Sequence, residues 1–537
     1  MSTPGPCFET KTYPIQEFLQ LNGVLQDYLQ ENKKLASLVS TFQNIDQLGE
    51  NITAKSNFPH REVLTRTLKR QNQNCNLSTL QNQNIEALKD ENTFCMTTAH
   101  QTNLFGGPLY FLQKAVSVIK ACRLAKEKFP DKEFVPMYWL GTEDHDFEEL
   151  NHLRINGKKI TWKDEQGGAF GRYSTETLTS VFNQLSAELG DSKQAEFLRG
   201  VFESYTQEKN ITDATRFLLN KLLGNYGLLI IDGDDVELKK LLVPIFEKEL
   251  IEEFSSKACE TSIQFLENQY GSSQAHARAI NLFYLQQNDR SRIMKEPYGF
   301  SVYKQALQFS TKKLLVDLKD NPTKFSPNVV LRPLMQEICL PNLMYVGGGG
   351  EISYWFQLKP IFDAVEIPFP MLALRDSAMF VPKKISEKLN QLHVTIDETF
   401  KTKDELKKKV VQEQTQKELK LQEQKRAIHD AMSEMEAKAR KIDFTLSASA
   451  KAEEQRMMNA LSNLEKKMMR AEKKNHQIVL QRIDAIYDHL YPNYSLQERT
   501  ENFSQYYIQY GEAWIEWMLA NFNLFDQNVK VMVEVDC

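Results

Sequence analysis

A chain of 537 residues with 66 Lys and Arg against 71 Asp and Glu carries a net charge of −5 and a pI near 6.1. That balance lacks the basic footprint of a general nucleic-acid binder, and the length exceeds one ordinary core, implying about two to four units. The seven cysteines are scattered and include no C-x-x-C pair, which points to a reduced, cytoplasmic setting and away from a thiolate zinc site. The opening residues show no basic-then-apolar signal pattern, and no apolar run reaches the roughly 18 residues of a membrane span, so no membrane partner is expected.

In chain order, helix-spaced apolar residues mark 15–29 and 63–68, and the Asn/Gln-rich run 71–84 reads as a loop between helices. A short β-type run at 93–96 leads into TTAHQTNLFGGPLY, residues 97–110. There the polar residues His100, Gln101, Thr102 and Asn103 and the glycines Gly106 and Gly107 precede Pro108. Proline is favoured at a first helical position, so the stretch predicts a strand-to-helix junction. Residues 109–129 follow as a crossover helix with Leu112, Ala115, Val116, Ile119 and Leu124 on its inner side.

Residues 134–140, FVPMYWL, form the nearly continuous apolar run of a strand buried on both faces of a parallel sheet, and they end in Gly141-Thr142-Glu143-Asp144-His145-Asp146. A hairpin over 152–162 turns at Asn156-Gly157. Residues 170–223 read as a helical insertion. A strand at 227–231 closes in Asp232-Gly233-Asp234-Asp235, residues 236–270 are helical, and 274–327 are mixed and basic. A strand at 343–346, a turn at Gly347, Gly348, Gly349 and Gly350, a helix at 351–362 and a last strand at 369–374 complete the α/β pattern. Four successive glycines are costly in backbone entropy, so a ligand or another chain segment is expected to approach this turn closely.

Beyond residue 382 the composition changes. Leu421, Ile428, Met435 and Ile442 repeat every seven residues, with Met432, Ala439 and Leu446 between them. Leu464, Ala471, Ile478 and Ala485 repeat likewise, with Leu461 and Met468 between. Two heptad seams joined by a short turn predict an antiparallel coiled-coil hairpin, each arm about 60 Å or longer at ~1.5 Å per residue. An arm of that length suits a dimer contact. The tail carries Tyr506, Tyr507, Tyr510, Trp514 and Trp517 on helical spacing and is expected to pack back on the body. The expected division is an α/β catalytic core over 1–384 with helical insertions at about 163–226 and 236–328, a coiled coil over 385–490, and a C-terminal segment over 491–537.

Three strand-to-helix turns supply, in order, His100 and Gln101, Glu143 to Asp146, and Gly347 to Glu351. A parallel sheet places all three on one rim, at the carboxyl ends of the strands where such sheets bind ligands. The glycine-rich turns offer N–H groups to a phosphate or carboxylate. His100 and His145 can stabilise negative charge or move protons. Glu143, Asp144 or Asp146 can bind an amine or act as a base. The same cluster with His152 could instead hold a divalent metal, although its spacing matches no firm metal motif. Walker A, G-x-S-x-G, H-E-x-x-H and the dinucleotide fingerprint are all missing from the sequence.

The stretches HQTNLFGGPLY, VPMYWLGTEDHDFEELNH, LRPLMQE, YVGGGGEISYW, and YPNYSLQER with Asn502 downstream occur in order across nearly the whole chain. Together they resemble the bacillithiol biosynthesis cysteine-adding enzyme family. Two departures stand out. The family's first turn usually reads G-Q-Q where Ala99-His100-Gln101 stands here, and its glycine turn usually reads G-G-P-G-E where Gly349 stands here. Gln101, Gly107 and Pro108 match the family pattern as site formers.

The resemblance implies a Rossmann-like core related to nucleotidyltransferases and class I aminoacyl-tRNA synthetases, with inserted connecting segments and a dimerising coiled coil. It implies joining of the cysteine carboxylate to the amine of glucosaminyl-malate, giving bacillithiol. No tightly bound cofactor is implied, but a nucleotide, ATP or ADP, is the natural co-substrate. The catalytic candidates are His100, Gln101, Asp144, His145 and Asp146. The substrate-binding candidates are Asn103, Gly107, Arg332, Gly347, Gly348, Gly350, Glu351, Tyr354 and Arg375. Arg332 and Arg375 are the candidates for malate carboxylates, which a guanidinium matches bidentately. Gln497 and Arg499 form a candidate nucleotide site. The expected setting is a cytoplasmic homodimer acting on small molecules. Two other readings stay open: a nucleotidyltransferase acting on another small acid, and a non-catalytic adaptor with the coiled coil as its working part.

Overall fold

The computed structural model describes residues 7–271, 277–414 and 421–535. The start of the mixed segment at 274 and the last cysteine lie outside the described residues. The chain divides into two compact units, one running to Met379 and resuming over Ser495–Met532, the other comprising Phe380–Tyr494 and Val533–Val535.

The first unit is built on a five-stranded parallel sheet. Its strands are β1 (Thr93–Gln101), β2 (Glu133–Gly141), β3 (Leu229–Asp232), β4 (Asn342–Gly347) and β5 (Met371–Leu374). The spatial order is β5-β4-β1-β2-β3. The chain therefore builds outward from β1 on one side and then reverses direction at β4, the Rossmann arrangement with its topological switch point between β1 and β4. The apolar run of β2 is buried throughout from Phe134 to Leu140 because the sheet is covered on both faces. Helix α1 (Tyr110–Lys128) makes the first crossover and buries Leu112, Ala115, Val116 and Ile119.

Several local readings change. Strand β1 runs to Gln101, because His100 and Gln101 pair with Leu140 and Gly141 of β2, so these two residues end a strand instead of opening a turn. Helix α1 starts at Tyr110, two residues after Pro108. The backbone first passes through positive φ at Phe105, Gly106 and Gly107 (47°, 79° and 51°), a left-handed path that a helix cannot continue. Part of the Asn/Gln-rich run is helical: Thr79–Ala87 forms a helix whose N-cap Ser78 and Gln81 make a reciprocal capping box.

The glycine run is not an open turn either. Gly347 ends β4, Gly348 caps the next helix, and Gly349 begins it (α2, Gly349–Trp355). None of the glycines from 347 to 350 has positive φ. Their smallness serves close packing: a Cβ on Gly347 would lie 3.0 Å from the Tyr345 ring, and one on Gly349 would lie 3.2 Å from Leu25.

The hairpin His152–Ile155 with Lys158–Thr161 turns at Asn156 and Gly157, both at positive φ. Helices Thr179–Glu188, Lys193–Gln207 and Ile211–Leu223 follow. The stretch expected to be a helical insertion over 236–328 is helical only at first, in Val236–Glu252 and Phe254–Tyr270. It continues as a five-stranded antiparallel sheet including Leu282–Gln286, Asp289–Glu296 and Phe325–Pro327. These strands are short, and Asp289–Glu296 buries only Ile293, so their period of two is faint in the sequence. Five described cysteines are free and Cys7 is disulfide-bonded, which departs from a fully reduced reading.

In the second unit, Gln422–Ile442 and Leu446–Leu490 form the expected helical hairpin. Its internal seam is laced by Lys425 to Glu465 at 2.7 Å and Glu436 to Ser447 at 2.6 Å, with Met432 buried. Half of the heptad positions do not enter this seam. Met435 and Ile442 are 57% and 81% exposed, and Met457, Leu464, Ala471 and Ile478 line the outer face of the longer helix at seven-residue spacing. Lys425 and Glu436 occupy inward positions instead, which displaces the apolar repeat outward. Among the described residues no helix is long and apolar enough to cross a membrane.

Candidate functional site

The strand ends of the parallel sheet gather the candidate residues at the switch point. On the β1 side, Lys114 of α1 is almost fully buried. Its Nζ reaches the Ala99 carbonyl at 3.0 Å and Glu351 Oε2 at 2.5 Å. Glu351 Oε2 also accepts the Gly348 N–H at 2.7 Å. Burial alone would raise the Glu351 carboxyl, but the charges of Lys114 and His100 and the hydrogen bonds from Lys114 and Gly348 outweigh it and hold the group at about 2. One ion pair therefore joins the opening turns of helix α1 and of helix α2, the helices that follow β1 and β4.

His100 packs edge-on against Tyr110 at 5.1 Å, and its Nδ1 lies 3.1 Å from the Gln101 carbonyl. Burial, reinforced by Lys114, lowers its pKa to about 4. The ring is thus neutral at physiological pH, a hydrogen-bonding group but a weak proton acceptor. Asn103 is buried with Oδ1 unpartnered, and it packs so tightly on Gly107 that a Cβ there would lie 2.5 Å from the Asn103 Cβ.

Asn502, fully buried, spans this turn. Its Nδ2 donates to the carbonyls of Phe105 at 3.1 Å and Gly107 at 2.7 Å, its backbone N–H donates to Arg154 O at 2.7 Å, and Leu109 N–H donates to Glu501 O at 2.7 Å. The segment after the coiled coil thus holds the left-handed path of the first turn.

The acidic turn after β2 sends its four side chains to different partners. Glu143 pairs with the buried Lys239 at 2.5 Å. Asp144 accepts from Gln101 Nε2 at 2.6 Å and from the His145 N–H at 2.7 Å. His145 Nδ1 faces Arg290 Nη1 at 3.1 Å, and Asp146 caps a short helix through the Glu149 N–H at 3.3 Å. Among the described residues no group of three or more His, Cys, Asp or Glu is placed to hold a metal ion. Asp144 is half-buried, which would raise it, yet the hydrogen bonds from the Gln101 amide and the His145 backbone N–H and the Arg290 charge hold it well below the usual carboxylate range. Glu149, 3.3 Å from the same Gln101 amide, moves the other way: burial and the neighbouring Asp144 and Asp146 raise it.

On the β4 side, Arg332 Nη2 donates to Tyr354 Oη at 2.9 Å, while Nη1 has no hydrogen-bond partner. Arg375 is different. Its guanidinium makes a two-pronged pair with Glu498 at 2.6 and 3.0 Å and also donates to the Asp376 carbonyl at 2.8 Å. With Arg375 and Glu498 both buried, Arg375 has no charge left for a substrate carboxylate, and its expected role there gives way to a structural one. Gln497 is buried, whereas Arg499 is exposed and acts with Arg375 against the upward shift of the Tyr110 hydroxyl, which burial and Glu351 push to about 12.

Lys114, Tyr110, Glu149, Arg290, Glu498 and Asn502 are the residues that sequence reasoning left out of the site. A lone lysine on the apolar face of a helix was the available sign for Lys114. Arg290 arrives from a distant segment that no local spacing marks, and Asn502 stands only as a position of the family resemblance with no role assigned to it.

A parallel sheet of 3-2-1-4-5 order with a charged rim at its switch point, followed by a helical hairpin, defines a Rossmann-like protein with a coiled-coil domain. Family models agree with both parts. The model described as "Bacillithiol biosynthesis BshC, N-terminal Rossmann-like domain" matches residues 9–376, and that of the BshC C-terminal coiled-coil domain matches residues 378–534. The chain belongs to the BshC family. A relative from Flavobacterium johnsoniae named "Putative cysteine ligase BshC" is 41% identical over 513 residues, covering 95% of this chain and 97% of the relative. Relatives of the same name from Flavobacterium psychrophilum and Bacillus cytotoxicus are 42% and 27% identical, covering 92% of this chain each and 93% and 95% of the relatives. Their name is that of a ligase, and the chain is an enzyme of that class.

Proposed function

We propose that this enzyme forms the amide between the carboxylate of cysteine and the amine of glucosaminyl-malate, the last step of bacillithiol biosynthesis. The observation that carries the reading is that β1 alone supports both halves of such a site. Gln101 at its end holds Asp144 and touches Glu149, and the Ala99 carbonyl beside it holds the Lys114–Glu351 pair. A carboxylate suited to an amine thus shares its supporting strand with the lysine–glutamate pair that reaches the turn after β4.

The shifts divide the labour between the two acids. A carboxylate held as low as Asp144 accepts protons poorly near neutral pH but pairs well with an ammonium group, so Asp144 orients the amine. Glu149, shifted upward, is the better proton acceptor once the amine attacks. Arg332, with Nη1 unpartnered, suits a malate carboxylate. Amide formation from a free carboxylate is uphill in water, so the cysteine carboxylate needs activation. A nucleotide is the co-substrate we infer, and the exposed Arg499 is the residue we assign to its phosphates.

The working form we infer is a cytoplasmic homodimer joined through the coiled coil. The outward apolar stripe of Met457, Leu464, Ala471 and Ile478 supports it, because an exposed heptad repeat is the surface a second helix packs against. The test is thiol profiling of a strain lacking the gene. Loss of bacillithiol with build-up of glucosaminyl-malate is expected, and restoration by the wild-type gene but not by Asp144→Ala. Unchanged bacillithiol would remove the reading.

A further inference from the structure

His145 is gripped from a part of the chain that the reading above does not use. Arg290 Nη1 lies 3.1 Å from His145 Nδ1, and the Phe283 ring lies 5.7 Å from the imidazole. Arg290 in turn stacks on Phe283 at 3.9 Å. Both residues belong to the inserted antiparallel sheet, whereas His145 belongs to the turn after β2.

A guanidinium remains charged and carries donors only. The ring nitrogen that faces it must therefore present a lone pair. The rival arrangement places a proton on Nδ1 and directs it at Asp144, but Asp144 Oδ1 is 3.7 Å away, beyond hydrogen-bond length. That proton would also point at a cation. Arg290 is not free to withdraw. Its Nε donates to Ser326 Oγ at 3.1 Å and its Nη2 donates to the Pro327 carbonyl at 2.9 Å; burial works against its charge and lowers its pKa, and the carboxylates of Glu143, Asp144 and Asp234 offset part of that.

We propose that Arg290 is a positioning residue that fixes His145 as the neutral Nε2–H tautomer, so that His145 serves the rim as a hydrogen-bond donor to an oxygen and not as a proton acceptor. Among the described residues no protein group pairs with Nε2, and the side chain is 45% exposed. The Nε2–H is therefore available to a carboxylate or phosphoryl oxygen. The tautomer stands on geometry alone, while the use made of it rests on the amide-forming reading.

Nitrogen NMR of the full chain labelled with 15N-histidine tests the assignment at about pH 8, above the ordinary histidine range near 6.5. The His145 signals are identified by their loss in His145→Gln. In the wild type, Nδ1 is expected to resonate as an unprotonated, pyridine-like nitrogen and Nε2 as a protonated one. Arg290→Met is expected to average or reverse the two, and Arg290→Lys, which keeps a charged donor, to restore the wild-type pattern. A protonated Nδ1 in the wild type, or an unchanged pattern in Arg290→Met, overturns the proposal. If Arg290→Met does not fold by circular dichroism, the wild-type spectrum decides. In an amide-forming assay, kcat of Arg290→Met should fall about tenfold or more with KM within about threefold. Failure to form any amide would count against the reaction and leave the tautomer result intact.

Discussion

Lys114 Nζ and Glu351 Oε2 lie 2.5 Å apart, with the lysine side chain only 2% exposed. The pair ties the first crossover helix to the helix that follows β4, across the switch point of the sheet. Removing one partner strands a charge away from water. Lys114→Met should therefore cost on the order of 3 kcal/mol, the low end for a broken buried pair because Glu351 keeps some solvent contact. Lys114→Met with Glu351→Gln should recover part of that loss. Urea unfolding of the two variants and the single Glu351→Gln mutant measures the coupling, and a Lys114→Met midpoint equal to wild type would dismiss the pair as an anchor.

His100 makes stability depend on pH. Its pKa is about 4 in the fold against an ordinary 6.5. Between those values the unfolded chain holds a proton that the folded chain does not, so stability rises with pH across this window. It is complete above about 6.5 and lost as pH falls toward 4, by about 2 kcal/mol after allowance for partial exposure. Glu351, depressed from 4.5 to about 2, adds its own loss only below about 4.5. His100→Gln should flatten the upper slope and leave the lower one. Denaturant midpoints taken every half pH unit would show it, and an unchanged slope between 6.5 and 4.5 would refute the assignment to His100.

Asn502 closes the turn of Phe105, Gly106 and Gly107 with two donated hydrogen bonds. Asn502→Ala should destabilise the first unit by about 2–3 kcal/mol, since it leaves two buried carbonyls unpaired. Asn502→Asp should be worse, because a carboxylate cannot donate and would face those carbonyls directly. Amide hydrogen exchange should report the opening first at residues 105–110. If protection there is unchanged in both variants, the clamp is not operating.

Arg375 and Glu498 are each other's partners, so neutralising Glu498 should damage stability before it damages substrate binding. Glu498→Ala is expected to cost about 3–5 kcal/mol, and Arg375→Met with Glu498→Met to regain part of it. Thermal unfolding of these variants tests the pair. A double variant no better than Glu498→Ala would mean that the guanidinium does more than answer that one acid.

The outer heptads of the hairpin make the quaternary prediction. Sedimentation should give a mass about twice the 62.2 kDa of the chain. Leu464→Glu with Ile478→Glu should return it to the single-chain value without loss of helix signal, since both side chains are 49% and 39% exposed in one chain. A monomeric wild type would assign the stripe to something other than a second copy.

The elements easiest to read from sequence were those with one dominant period. The apolar run at Phe134 to Leu140, the seven-residue repeats after residue 420 and the Asn156-Gly157 turn all announced themselves. The ends of elements were harder. Nothing local to His100 says that its backbone pairs with Leu140, and nothing in four consecutive glycines says that a helix starts at the third. The antiparallel sheet stayed hidden because its strands are short and thinly apolar on the buried side. At the site, the turn residues were visible because polar side chains gathered where strands end. Their partners were not: Asn502 meets Gly107 from 395 positions away, Arg290 meets His145 from 145, and Glu498 meets Arg375 from 123. Spacing cannot reveal a pair that only the folded path creates.

The clamp by Asn502 also sets an order of events at the ribosome. Synthesis proceeds from the amino end, at about 5–20 residues per second. The parallel strands are all made by residue 374, but the donor that fastens the Phe105–Gly107 carbonyls emerges only after the whole helical hairpin has been translated. For roughly 6 to 26 seconds at that rate the nascent domain owns its strands and lacks its latch. A chain halted inside the hairpin never acquires it, so premature termination there should yield a body whose first turn stays unlatched however well its sheet has formed.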